Sequence, residues 1–117
     1  MTPVVVYVDD EPALCRVFAL ILKRAGAEAR TFTDPIEALE FLATSPVAAV
    51  ICDYRMPTMT GVELRARLAS DVPFYLVSGD LNIRDQLGEG SGITGVIDKP
   101  FRPETLLDVL RPHLDAL

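Results

Sequence analysis

The chain has 117 residues, half of them apolar, and a formal net charge of −6. That is the size of one domain, too short for two ordinary ones, with enough apolar material for a single core. The acidic balance argues against direct nucleic-acid binding, no apolar run reaches the roughly 18 residues of a bilayer span, and Met1-Thr2-Pro3 opens no charged leader, so a cytoplasmic protein without a membrane partner is expected.

Val4 to Val8 is a continuous apolar run, as expected of a strand buried on both faces. Pro12 opens a helix whose core positions are expected at Leu14, Val17, Phe18, Ile21 and Ala25, with Gly26 as its stop. Glu28 to Phe32 reads as a more polar edge strand. Asp34-Pro35-Ile36-Glu37 is a helix start with Asp34 as cap and Glu37 in a capping box, and that helix runs to about Ala43. Val47 to Cys52 is a third strand. Thr60 caps the next helix with Glu63 at its third position. Phe74 to Val77 is a fourth strand, a short helix is expected over 83–87, and Thr94 to Ile97 is the fifth strand. Pro103 starts a last helix with Leu106, Leu107, Leu110 and Leu114 toward the core, which Pro112 should kink or end early.

Five strands alternating with helical segments call for a doubly wound parallel α/β sheet with helices on both faces. We adopt the flavodoxin-like strand order 2-1-3-4-5 as a template; ligands of such sheets bind beyond the carboxyl ends of the strands. Cys15 and Cys52 lie in apolar segments, outside any C-x-x-C pair, and read as buried reduced thiols. His113, the one histidine, reads as a solvated residue near the chain end, which disfavours a histidine metal site or a histidine-based triad.

Four of the five apolar runs end in polar groups: Asp9-Asp10, Asp53, Ser78 and Asp98-Lys99. Singly, each has an ordinary reading as a cap, a loop residue, a turn or a surface lysine. In the order 2-1-3-4-5, strands 1, 3, 4 and 5 are neighbours, so these groups meet at one rim. Two carboxylates 4 Å apart repel by about 4 kcal/mol at an effective dielectric near 20. Asp9, Asp10 and Asp53 together therefore call for a cation. Oxygen-only ligands at an open rim suit Mg2+, with Mn2+ as a substitute. Lys99 and the Ser78 hydroxyl add what a transferring phosphoryl group needs, charge neutralisation and positioning. An ionised aspartate can itself be the nucleophile.

These motifs, Val-Asp-Asp-Glu-Pro (8–12), Asp-Tyr-Arg-Met-Pro-Thr-Met-Thr-Gly (53–61), Val-Ser-Gly (77–79) and Lys-Pro-Phe (99–101), give the chain its resemblance to the receiver domains of bacterial two-component response regulators, including the single-domain chemotaxis regulator. The resemblance runs from about Val4 to Leu110. It implies Asp53 as phosphoacceptor, Asp10 as main acidic metal ligand with Asp9 as its partner, the Arg55 backbone carbonyl as a further ligand, Ser78 as switch hydroxyl and Lys99 as the phosphoryl-pairing lysine. It also implies a cis Lys99-Pro100 bond. The implied partners are a histidine kinase or histidine phosphotransfer protein as donor, and a downstream protein or a missing output domain as target. Because the chain opens with Met1, a missing domain is expected to be C-terminal.

Two departures stand out. Members of this family usually carry an aromatic residue three positions before the lysine; here it is Val96, so a muted or different conformational response is expected. Asp80-Leu81-Asn82 is followed by Gly88, Gly90, Gly92 and Gly95, so the helix here should be short and mobile. Arg55 and Asp80, each two residues past a key group, are expected to form a salt bridge that shields the phosphate. Leu20, set among Arg16, Lys23 and Arg24, is a candidate docking residue for the phosphodonor. The main rival is a pseudo-receiver, an unphosphorylated interaction module of the same fold. An aspartate-nucleophile phosphatase is disfavoured because Glu11 stands where that class needs a second Asp.

Overall fold

The computed structural model describes residues 2–80, 82–87 and 90–114. Its elements alternate: β1 (Val4–Val8), α1 (Pro12–Arg24), β2 (Glu28–Phe32), α2 (Pro35–Thr44), β3 (Ala49–Asp53), α3 (Gly61–Ala66), β4 (Phe74–Ser78), α4 (Ile83–Gln86), β5 (Gly95–Asp98) and α5 (Pro103–Leu114). All four strand pairings are parallel and the order is β2-β1-β3-β4-β5, the expected one. The polar strand β2 lies at an edge, where its exposed residues meet water.

Strand alternation divides the core into two layers. Val5 and Tyr7 pack on one face with Phe18 and Leu22 of α1 and Leu106 and Leu110 of α5. Val6 and Val8 pack on the other with Ala38 of α2, Leu64 of α3 and Ile83 of α4. β3 is buried along its whole length, as a central parallel strand should be.

The helix ends follow local chemistry. At the end of α1, Gly26 has φ +82°, its N–H reaches Lys23 O, and Ala27 N–H reaches Leu22 O. This pair of bonds satisfies carbonyls that the helix leaves open, and it needs a glycine. Thr60 and Glu63 form the reciprocal capping box at the start of α3. Asp34 caps α2 by accepting from Ile36 N–H, not through the expected box with Glu37; among the described residues no return bond from Glu37 is present.

Several expectations need correcting. Val17 is 48% exposed and Ala25 is also exposed, while Cys15 and Leu22 are buried. Successive helix positions turn by about 100°, which carries Val17 round from the Phe18 face, and Ala25 is already the cap residue. β3 starts at Ala49 rather than Val47 and extends to Asp53, because Asp53 still pairs with Val77 of β4. α4 ends at Gln86 rather than 87; Leu81 and Gly88 lie outside the described residues. Pro112 does not stop α5, which continues to Leu114. His113 is half-buried rather than freely solvated: its Nε2 lies 2.6 Å from the Tyr75 hydroxyl, which ties the last turn to β4 across the lost Pro112 bond.

Candidate functional site

The carboxyl ends of β1, β3, β4 and β5 bring the expected groups together. Carboxylate oxygens of Asp9, Asp10 and Asp53 lie within 4.8 Å of one another. Lys99 Nζ sits 3.2 Å from Asp53 Oδ1 and 3.4 Å from Asp9 Oδ2. Asp9 is completely buried, Asp53 and Ser78 nearly so, and Asp10 is exposed. Three carboxylates against one ammonium leave an excess of negative charge at an open rim. The donor set is all oxygen, which fits a hard dication such as Mg2+.

Each group is held by its element. β3 carries Asp53 within the ladder, and β4 carries Ser78 one residue beyond its partner Val77. Lys99 follows β5, its N–H donating to Ser78 O at 2.9 Å, and its bond to Pro100 is cis. The loop after Asp53 is pinned by Gly61 N–H on Tyr54 O at 2.8 Å and by a bridge between Arg55 and Thr60, which fixes the Arg55 backbone. Gly61 is required there: a Cβ would lie 2.9 Å from Asp53 O and 2.5 Å from Leu76 Cδ2.

Arg55 and Asp80 do approach, at 3.6 Å, with the Arg55 side chain 76% exposed. The Ser78 hydroxyl oxygen accepts from Asp80 N–H at 3.0 Å, so Asp80 is fixed to the same strand end. Val96 is half-buried against the α2–α3–α4 layer. Leu20 is half exposed on α1, as is Val17. Cys15 and Cys52 are buried free thiols.

Two residues went unnoticed in the sequence. The Tyr7 hydroxyl, deep under the rim, donates to Asp9 Oδ2 at 2.7 Å. The signal was present: a tyrosine in a run of valines, two residues before an aspartate, needs an acceptor on that face. Arg84 donates to Val96 O at 2.8 Å and to Asp98 Oδ1 at 3.0 Å, tying α4 to the edge strand β5. Nothing local in the sequence marked that pairing.

Electrostatics follow from burial and neighbours. Burial, then the Asp9 charge, pushes the Asp53 carboxyl above the usual carboxylate range, with Lys99 opposing. Burial works against the Lys99 ammonium, but Asp9 and Asp53 outweigh it and raise its pKa. Burial drives the Cys52 thiol up, and the Cys15 thiol up to about 11, so neither is a reactive thiolate.

Known proteins resemble this chain in sequence and in fold. The family model described as "Response regulator receiver domain" matches residues 5–111. The cyclic di-GMP phosphodiesterase response regulator RpfG of Xanthomonas campestris pv. campestris is 32% identical over 111 residues, covering 87% of this chain and 29% of that protein. The DNA-binding response regulator MtrA of Mycolicibacterium smegmatis is 27% identical over 113 residues, covering 94% of this chain and 50% of that protein. The chain thus spans half or less of the length of these curated relatives. The solved chemotaxis response regulator CheY4 of Vibrio cholerae superposes with a TM-score of 0.86 at 33% identity, covering 97% of this chain and all of that one. A receiver domain protein from Methanospirillum hungatei shares the fold with a TM-score of 0.88 at 23% identity, covering 99% of this chain and 96% of that one.

The raised Asp53 pKa fixes a pH dependence. A carboxyl whose folded pKa lies above its unfolded value, about 3.9, lets the folded chain bind more protons in the window between the two, so stability falls as pH rises through that window. Without divalent cation, Asp53→Asn is expected to melt above the wild type at neutral pH. The gap should close as pH falls toward about 4. Thermal melts across pH measure it, and a variant that melts lower than wild type at neutral pH contradicts the assignment.

Proposed function

The chain belongs to the response-regulator receiver domains of two-component systems, and on that premise we propose that residues 1–117 form one receiver domain that takes a phosphoryl group onto Asp53. The observation that carries this reading is Lys99 Nζ between Asp53 and Asp9, beside a cluster of three carboxylates. A partner's phosphohistidine, on a histidine kinase or phosphotransfer protein, is the donor. An Asp53 carboxylate oxygen attacks phosphorus, the P–N bond breaks, and its electron pair leaves with the imidazole. The ionised Asp53 needs no general base.

Lys99 exchanges its contact with Asp53 for a phosphoryl oxygen, and the Ser78 hydroxyl donates to another. Asp9, Asp10, Asp53 and the Arg55 carbonyl would hold Mg2+; when bound, it would supply charge neutralisation for the phosphoryl oxygens. The changed surface then alters the binding of a downstream protein, or of an output domain in a longer chain. The family match is the ground for proposing a cytoplasmic site of action; among the described residues no helix is long and apolar enough to cross a membrane.

The test is mass spectrometry after treatment with acetyl phosphate and Mg2+. One phosphoryl group is expected, none in Asp53→Asn, and a rate about a hundredfold lower in Lys99→Ala. Labelling that survives in Asp53→Asn overturns the assignment; an unlabelled wild type favours the pseudo-receiver reading, for which Val96 is the supporting feature.

The Arg55–Asp80 pair joins the loop after Asp53 to the residue two past Ser78, and in this proposal it reduces water access to the acyl phosphate. Exposed pairs are worth at most about 1 kcal/mol, so Arg55→Ala should shorten the phosphate lifetime by up to about fivefold. An unchanged lifetime removes this role.

With Val96 in place of a ring, and its carbonyl held by Arg84, the response at this position is small. Structures with and without a phosphoryl mimic should keep the Arg84 contacts to Val96 and Asp98; a large concerted shift around Val96 refutes this.

A further inference from the structure

The alternation of β1 places Val5, Tyr7 and Asp9 on the same side of the sheet. The Tyr7 ring stacks on Phe18 of α1, with centroids 4.4 Å apart and planes 14° from parallel. Packing alone would accept a phenylalanine there. The hydroxyl, however, lies under the rim and reaches the fully buried Asp9 carboxylate at 2.7 Å. The other Asp9 oxygen, Oδ1, accepts Glu11 N–H at 3.0 Å. Each oxygen of Asp9 thus has its own donor, one from below the sheet edge and one from the start of α1. Two donors on different oxygens fix the plane of the carboxylate. The oxygen that takes the tyrosine is also the one that faces Lys99, at 3.4 Å.

Lys99 therefore stands between two acceptors at nearly equal distance, Asp53 at 3.2 Å and Asp9 at 3.4 Å. A hydrogen bond from the tyrosine draws charge from Oδ2 and weakens its claim on the ammonium. We infer that Tyr7 is a positioning residue of the phosphoacceptor site: through Asp9 it keeps Lys99 on the Asp53 side and sets the orientation of the Asp9 carboxylate toward a divalent cation. This inference rests on the reading of Asp53 as phosphoacceptor. Without the hydroxyl, Oδ2 loses its neutral donor. Lys99 then swings toward it, away from the place a phosphoryl oxygen must occupy.

Tyr7→Phe deletes one oxygen and keeps the stack on Phe18. Labelling by acetyl phosphate at saturating Mg2+ should slow about tenfold, and the Mg2+ dissociation constant, measured by calorimetry with the metal alone, should shift by about threefold or more. In an Asp9→Asn background the same substitution should add almost nothing, because Tyr7 acts through Asp9. A folded Tyr7→Phe with wild-type labelling rate and Mg2+ affinity makes the tyrosine a packing residue and overturns the inference. An equal loss in the Asp9→Asn background overturns it as well. If wild-type protein is not labelled at all, the phosphoacceptor reading fails, while a Mg2+ affinity that still shifts in Tyr7→Phe upholds the coupling of Tyr7 to the cation site. Should Tyr7→Phe not fold, wild-type protein with carbon-13 tyrosine decides: the Tyr7 ring-carbon resonance bonded to oxygen moves with Mg2+ titration if the inference holds, and a resonance that stays fixed overturns it.

Discussion

One ammonium group set among three carboxylates governs this molecule. Lys99 lies within ion-pair distance of Asp53 and Asp9, and Asp10 completes the acidic cluster. Like charges at such separations repel by about 4 kcal/mol per pair at an effective dielectric near 20. A fold that buries Asp9 completely and Asp53 almost completely must answer that repulsion. Lys99 answers part of it, and the hydrogen bonds to Asp9 from Tyr7 and Glu11 answer another part. What remains is a negative charge excess, open at Asp10, whose oxygen donors fit a hard dication.

The sheet order turns scattered residues into a site. Asp9, Asp53, Ser78 and Lys99 are spread over ninety positions of sequence, yet each follows or ends a strand, and those strands are consecutive neighbours in the sheet. Parallel pairing puts all their carboxyl ends on one edge. β2 is the exception that fits the rule. It lies outside this row and ends at Phe32, whose carbonyl accepts Asp9 N–H at 3.0 Å.

The same atoms serve the fold and the site. Gly61 begins α3 and also lets that helix approach the backbone of Asp53. The capping box of Thr60 and Glu63 starts the helix and closes the loop that bears Arg55. Ser78 ends a strand, and its hydroxyl oxygen also anchors Asp80. The α4–β5 side is tied differently, by Arg84 on Val96 O and Asp98 and by Arg65 on Gly92 O at 3.1 Å. These are side-chain contacts to an edge, less buried than the ladder bonds around Asp53.

Much of this was legible in the residues themselves, since local signals carry local physics. Apolar runs marked the strands, and Pro12, Asp34, Thr60 and Pro103 marked helix starts. The polar strand ends marked the site, because a parallel α/β sheet leaves its strand ends together. The sequence, read on the adopted strand order, determined that Asp9, Asp10, Asp53, Ser78 and Lys99 would share one rim. Tertiary structure alone decided how they meet: that Tyr7 reaches Asp9, that Lys99 is shared between two acids, that Arg84 spans to β5, and that His113 holds α5 past Pro112. The reason is physical. Periodicity fixes the face on which a side chain lies, but hydrogen bonds between residues distant in sequence depend on how the layers pack, and packing distances are set by the whole core at once.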